Sequence, residues 1–172
     1  MTPGSQLTVL KLDHNEFGTP GLEQLAKGLG RSPSITTLSL SYCNIDEKGV
    51  PFLHQILAFI KTELKFLDLQ GNFLKNEGVK DLFKALETNQ ILEEINLADN
   101  QFGEDQETMD QICKVFSTNK NLGAYDFNYN AIYDDGIFSN KGFEILNFLS
   151  RCQQIFATFE EWKQVDSQIG TE

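Results

Sequence analysis

Basic residues are scarce in this 172-residue chain: 14 Lys and Arg stand against 25 Asp and Glu, for a net charge of −11. The deficit lies in the second half. Residues 1–86 carry nine charges of each sign, whereas residues 87–172 carry five basic and sixteen acidic side chains. Gripping a phosphate backbone needs Lys and Arg to displace counterions, so no nucleic-acid partner is expected. Adhesion to an anionic membrane surface is disfavoured in the same way. A basic protein surface would be attracted at long range, although solubility accounts for the charge equally well. Cysteine is also rare. Cys43, Cys113 and Cys152 are odd in number and widely spaced, which gives neither a disulfide framework nor a zinc pattern. That usage points to a reducing, cytoplasmic compartment. No apolar run approaches the ~20 residues of a membrane span. Residues 1–6 have no basic segment followed by an apolar one, so no secretory leader is expected. The two histidines, His14 and His54, are forty residues apart and have no metal-ligand spacing. Gly-x-Ser-x-Gly, phosphate-loop and dinucleotide fingerprints are missing. No catalytic residue, cofactor or metal is therefore expected, and the chain reads as a non-enzyme. What remains is 40% hydrophobic and 23% charged, the balance of a globular domain with one core.

That core is written as a repeat. Leu7, Leu10, Leu12, Asn15 and Phe17 recur as Ile35, Leu38, Leu40, Cys43 and Ile45, and again as Leu64, Leu67, Leu69, Asn72 and Leu74. Leu92, Ile95, Leu97, Asn100 and Phe102 follow, then Leu122, Tyr125, Phe127, Asn130 and Ile132. The Asn/Cys positions are 28, 29, 28 and 30 residues apart. Period-two alternation predicts a short strand in each unit. The asparagine then turns the chain, because its amide both donates to and accepts from backbone groups inside a buried turn. Cys43 replaces it only in part. Apolar residues at i, i+3, i+4 and i+7 predict a helix in the second half of each unit: Leu22, Leu25, Ala26 and Leu29, or Val79, Leu82, Phe83 and Leu86. Val50, Leu53 and Leu57 keep this register with His54 in the remaining slot, a packing position rather than a ligand position. Met109, Ile112, Cys113 and Phe116 keep it after an insertion, with Cys113 as a core residue. Gly21, Gly49 and Gly78 precede the first apolar helix position, where a missing side chain allows close approach. One strand and one helix per unit predict an α/β right-handed solenoid, with parallel strands on the concave face and helices on the convex face. No unit buries both faces alone, so the stack must cooperate.

The pattern Leu-x-x-Leu-x-Leu-x-x-Asn-x-Leu from Leu64 to Leu74, continued by Gly78, Val79, Leu82 and Leu86, resembles the ribonuclease-inhibitor-like class of leucine-rich repeats. The resemblance covers about residues 7–149. It implies an intracellular protein that binds other proteins through its concave face or rim. Families of this class include ribonuclease inhibitors, tropomodulin-like actin cappers, NOD-like receptors, ciliary scaffold subunits and Ran GTPase activators. The alternative function it implies is activation of a Ran-like GTPase through a rim Asn or Arg. Here the only arginines are Arg31 and Arg151, and neither lies in a recognisable motif.

Side chains between the leucines should line the concave face. One column is Val9, Thr37, Phe66, Glu94 and Ala124, and the next is Lys11, Ser39, Asp68, Asn96 and Asp126. The third is Asp13, Ser41, Gln70, Ala98 and Asn128, and the last is His14, Tyr42, Gly71, Asp99 and Tyr129. Exposed aromatics among carboxylates suit protein recognition, so the candidate partner-binding residues are Tyr42, Phe66, Asp68, Glu94, Asn96, Asp99, Asp126 and Tyr129. A calcium loop at Asp126-x-Asn128-x-Asn130 fails, because Ala131 and Ile137 stand where a glycine and a bidentate glutamate are needed.

Residues 1–149 are expected to form the repeats, and 150–172 a capping helix and frayed tail. Cys152, Ile155, Phe156, Phe159 and Trp162 lie at helical spacing, either as a cap or as a docking helix anchored by Trp162. An insertion runs from Tyr133 to Lys141 in the fifth unit, and Tyr133 and Phe138 could be contacts or fold back over the core. The first unit begins at Leu7 without a cap. Its open edge suggests either cover from another chain or that this is a fragment or subunit of something larger.

Overall fold

The computed structural model describes residues 7–29, 34–58, 63–130, 133–134 and 137–138. The expected capping helix and the fifth-unit helix lie outside the described residues. Five three-residue strands run in parallel in chain order: β1 (Val9–Lys11), β2 (Thr37–Ser39), β3 (Phe66–Asp68), β4 (Glu94–Asn96) and β5 (Ala124–Asp126). Between them stand α1 (Gly18–Leu29), α2 (Val50–Ala58), α3 (Lys75–Leu86) and α4 (Gln106–Thr118), with a 3-10 turn at Glu47–Gly49 leading into α2. This is the α/β solenoid read from the repeat. The pairing sets Val9, Thr37, Phe66, Glu94 and Ala124 side by side, and Lys11, Ser39, Asp68, Asn96 and Asp126 side by side.

The central leucine position of each strand faces the helices. Leu38, Leu67 and Ile95 are fully buried, as are Leu40, Leu69 and Leu97 two residues on. Val79, Leu82, Phe83 and Leu86 of α3 meet them from the helical side and are equally buried. Deep burial of one such Leu stabilises by about 1.5–3 kcal/mol relative to exposure, so the register of the stack is strongly fixed. Toward the last unit the core becomes aromatic. Phe127 packs edge-on to Phe102 at 5.5 Å, and Tyr125 lies 4.7 Å from Phe116. Gly78 sits where an added Cβ would come within 3.2 Å of the Glu47 backbone, which is the close helix approach its position suggested. The start of α4 and the 3-10 turn before α2 are capped by acidic side chains, whereas α3 has Leu74 at its N-cap and no side-chain cap. Asp105 accepts from the Thr108 N–H at 2.8 Å, and Asp46 accepts from the Lys48 N–H and the Thr19 hydroxyl.

The asparagine ladder closes each turn. Asn72 is buried, and its Oδ1 accepts from the N–H groups of Cys43 at 3.1 Å and Ile45 at 3.0 Å. Its Nδ2 donates to the carbonyls of Leu40 and Leu69. Asn100 donates to Leu69 and Leu97, and Asn130 donates to Leu97 and Phe127 while accepting from the Asn100 N–H at 2.7 Å. Each asparagine thus ties its own turn to the preceding one. Cys43 keeps half of the role: its thiol donates to the Leu12 carbonyl at 3.1 Å, and burial pushes its pKa up.

A second ladder runs where each helix returns to the sheet. Asn89 donates to the Leu57 carbonyl and accepts from the Ile91 and Leu92 N–H groups. Asn119 donates to the Leu86 and Asn89 carbonyls and accepts from the Asn121 and Leu122 N–H groups. The repeat as read above passed over it. The signal was an asparagine three residues before the first leucine of units four and five. His54 occupies its packing slot half-buried, with Nε2 2.9 Å from the Asp81 carbonyl. In the fifth-unit insertion, β6 (Tyr133–Asp134) pairs antiparallel with β7 (Ile137–Phe138). This strand pair is an addition to the loop expected there.

Candidate functional site

The sheet packs one face on the helices and leaves the other open. Parallel sheets are ordinarily covered on both faces, so an open one is an unusual surface. Its columns differ in what they offer. Ser39, Ser41 and Ala98 are buried, so the middle of the face is flatter and less accessible than expected. Phe66 is half-buried rather than exposed, which corrects its assignment as an open aromatic.

Strand-ending turns consume part of the acidic column. The Asp68 Oδ1 accepts from the Gln70 N–H at 3.0 Å, Asn96 accepts from the Ala98 N–H at 3.0 Å, and Asp126 accepts from the Asn128 N–H at 2.9 Å. The Asp68 Oδ2 also lies 3.3 Å from the donating Ser39 hydroxyl. These half-buried groups therefore hold the turn and retain limited freedom for a partner. The same bonds account for the Asp126-x-Asn128-x-Asn130 spacing without a cation. Among the described residues there is no group of three or more His, Cys, Asp or Glu able to hold a metal. None of the described helices is long and apolar enough to cross a membrane.

The outermost column is the most distinctive. His14, Tyr42, Gly71, Asp99 and Tyr129 all have positive φ, between 55° and 66°. In that conformation four of them pass their N–H to the next unit: His14 to Ser41, Tyr42 to Gln70, Gly71 to Ala98 and Asp99 to Asn128. Four of the five are not glycine, so the backbone alone does not demand Gly71. The ring of Tyr42 does. A Cβ on Gly71 would lie 2.2 Å from the Tyr42 Cε1. On its other side the same ring stacks on His14 at 4.9 Å, with planes 5° apart. Gln70 donates to the Tyr42 hydroxyl at 3.2 Å, and Asn96 donates to Gln70 at 3.4 Å. Tyr42 is thus held from three directions and still 37% exposed. Tyr129 is 81% exposed, the most open large hydrophobic side chain among the described residues. Glu94 and Asp99 are exposed, and neither takes part in the turn bonds that occupy Asp68 and Asp126. The candidate residues therefore share one face; Glu94, Asp99 and Tyr129 are exposed on it, and Tyr42 is exposed in part but held in place.

A family model described as Leucine Rich repeat matches residues 6–26 and 31–51. The chain is 34% identical over 136 residues to NACHT, LRR and PYD domains-containing protein 5 of Mus musculus, covering 77% of this chain and 11% of that protein. It is 29% identical over 136 residues to the Mus musculus ribonuclease inhibitor, covering 77% of this chain and 29% of that protein. The chain thus spans 11% to 29% of the length of these two relatives. Among solved structures, the leiomodin-1 actin-binding site 2 superposes with a TM-score of 0.67 at 16% identity, covering 96% of this chain and 89% of that one. The Caenorhabditis elegans tropomodulin C-terminal domain gives 0.70 at 14% identity, covering 93% and 90%. At such identities the structural likeness speaks to fold.

Proposed function

The chain is a leucine-rich-repeat protein of the ribonuclease-inhibitor-like class, and on that premise we propose that it is a non-catalytic module that binds another protein through its concave face and rim. One observation carries the reading: an open parallel sheet that bears Tyr129 at 81% exposure in the same column as the exposed Asp99, with the exposed Glu94 at the other end of β4. A nearly bare aromatic ring on an ordered backbone is the side chain that gains most from cover by a partner. The nearby carboxylates favour a partner surface with Lys or Arg, and would act mainly on association rate and selectivity. A protein ligand also fits the nature of one structural neighbour, an actin-binding site of leiomodin-1. A scaffold role within a larger cytoplasmic assembly is the setting that suits such a module. Activation of a Ran-like GTPase would draw on Arg31 or Arg151, both outside the described residues, and nothing on the described face favours it.

The test is capture of partners by the whole chain and by Glu94→Lys/Asp99→Lys/Tyr129→Ala, each shown to be folded by circular dichroism. All three side chains are exposed, so the variant keeps the stability of the parent. Loss of a partner from the variant supports the reading. A partner retained undiminished places binding elsewhere and refutes it. Turnover of GTP by a Ran-like GTPase on addition of the chain would establish the activator instead.

A further inference from the structure

Side chains of the outermost column stack along the solenoid with one place per unit. His14, Tyr42, Gly71, Asp99 and Tyr129 share a left-handed backbone with φ between 55° and 66°, so each unit sends its side chain out in the same direction. The His14 and Tyr42 rings are 4.9 Å apart and within 5° of parallel. That separation matches the step of about 4.8 Å between neighbouring strands. The Tyr42 ring leans one unit forward. Its Cε1 lies 2.2 Å from where a Cβ on Gly71 would be, and its hydroxyl takes a hydrogen bond from Gln70 of the third unit. Gly71 itself adds nothing to the stack. The next place, between the far face of the Tyr42 ring and Asp99, therefore has no side chain of its own column to fill it.

The walls of this gap favour one kind of group. On one side is the Tyr42 ring, backed by His14 and still 37% exposed. On the other is the exposed carboxylate of Asp99. Lysines on the helices hold carboxylates of their own: Lys80 pairs with Glu77, Lys84 with Asp81 and Lys114 with Glu87. Among the described residues no ion pair reaches Asp99. Lys11, in the first unit, is the only lysine or arginine in the four columns of the open face. A cation in the gap would stand one step, about 4.8 Å, from the ring, inside the ~6 Å over which an aromatic face attracts it. A gap one place deep admits a flat group. A guanidinium is flat, stacks on rings and meets a carboxylate with two parallel donors, whereas an ammonium is a compact point charge.

We infer that the gap beside Gly71 is a receptor for an arginine side chain of a basic partner protein, its guanidinium stacked on Tyr42 and paired with Asp99. This receptor presupposes that the concave face binds protein, as proposed above, and specifies the side chain that the face takes. Charge selects the partner. The open face of units three to five bears Asp68, Glu94, Asp99 and Asp126 and no lysine or arginine, so a basic surface is drawn to it. A second copy of the chain is not the occupant, because two molecules at −11 repel each other. Glycine at position 71 serves both walls: it lets the Tyr42 ring lie down and leaves the next place open.

The test titrates the whole isotope-labelled chain with acetyl-Gly-Arg-Gly-amide and with its lysine counterpart, followed by NMR. The arginine peptide should give saturable shifts at the Tyr42 ring and at the Gly71 and Asp99 amides, with an affinity about threefold or more above that of the lysine peptide. Asp99→Asn removes the charge and keeps a residue that tolerates the left-handed backbone, so the chain stays folded. It should weaken the arginine peptide about threefold. Glu77→Gln on the helical face changes the net charge equally and should leave binding as it is. Tyr42→Leu should bring the two peptides to equal affinity; should that variant misfold, Asp99→Asn carries the test alone. Equal affinity of the two peptides for the parent chain overturns the inference. So does equal weakening by Glu77→Gln and Asp99→Asn, or the lack of any shift at Tyr42 and Asp99. Concentration-dependent dimers in sedimentation, lost on Asp99→Asn, would identify a second copy as the occupant and also overturn it. A silent titration, with a captured partner still lost from Glu94→Lys/Asp99→Lys/Tyr129→Ala, would remove the arginine receptor and leave the concave face as the protein-binding surface.

Discussion

Asn72→Ala removes five hydrogen bonds from the middle of the stack and leaves the apolar core untouched. The asparagine is 1% exposed, so water has little access to the groups it abandons. Two N–H groups, of Cys43 and Ile45, lose the oxygen they share, and the Leu40 and Leu69 carbonyls lose a donor. A buried polar group left unsatisfied costs about 1–3 kcal/mol, so the two N–H groups alone set a loss of about 4 kcal/mol. That is a large part of the stability of an ordinary domain, about 5–15 kcal/mol. Asn15→Ala is the control. It removes two local bonds at an exposed site and should cost less than about 0.5 kcal/mol. Asn72→Cys should fall between them, since a thiol donates weakly and returns no strong acceptor to the two N–H groups. Urea unfolding followed by circular dichroism, with free energies from linear extrapolation, measures all three. An Asn72→Ala variant within about 1 kcal/mol of the parent would refute the reasoning, because it would mean that the ladder does not satisfy these backbone groups.

Three further outcomes follow from the same geometry. Gly71→Ala should displace the Tyr42 ring, and thermal unfolding should show a loss that shrinks to about 1 kcal/mol, the left-handed conformation alone, when tested in a Tyr42→Ala background. Cys43 is buried with its pKa raised, so a disulfide reagent at pH 8 should modify it only on unfolding. Because that pKa is raised in the folded state, the associated stability is whole below the ordinary thiol value of 9.0 and is lost as pH rises through the folded one, a loss that Cys43→Ser should abolish in pH-dependent urea titrations. Asp105→Ala should cost about 1 kcal/mol by removing the acceptor for the Thr108 N–H and hydroxyl, read as a lower urea midpoint at unchanged slope.

The strand register was fully legible because two periodicities agree on it. Alternation within a strand puts Val9, Lys11 and Asp13 on one side, and the 28–30-residue spacing lines them up with their successors. Relations between side chains of neighbouring units were not legible in this way. Nothing in the spacing says that the Tyr42 ring lies over Gly71, or that its hydroxyl meets Gln70 twenty-eight residues on. Such contacts depend on rotamers and on the small rotation between turns, which a one-dimensional pattern does not carry. Asn89 and Asn119 were legible in principle and masked in practice. Residues 30–33 and 59–62, where the earlier units would show the same feature, bring no asparagine three positions before Ile35 or Leu64. Two instances do not announce themselves as a ladder until the carbonyls they reach are seen.

Separating side chains that hold the fold from those left over changes where a partner's contacts are expected. Reading the face by residue type alone spreads the candidates evenly from Tyr42 to Tyr129. Hydrogen bonding divides them: Asp68, Asn96 and Asp126 each commit an oxygen to a turn, and Tyr42 is fixed between His14 and Gly71. Mutating the first three would disturb the turns as well as any interface, so a loss of binding there would be ambiguous. Glu94, Asp99 and Tyr129 are exposed and lie in the fourth and fifth units, on the acidic half of the chain. The charge asymmetry and the most exposed aromatic among the described residues thus converge on the same end of the face. A partner that used the whole concave surface evenly would gain nothing from this placement. One that docked a basic segment at the fourth and fifth units would lose association rate with added salt, and would lose affinity on Tyr129→Ala, while tolerating changes at Val9 and Lys11.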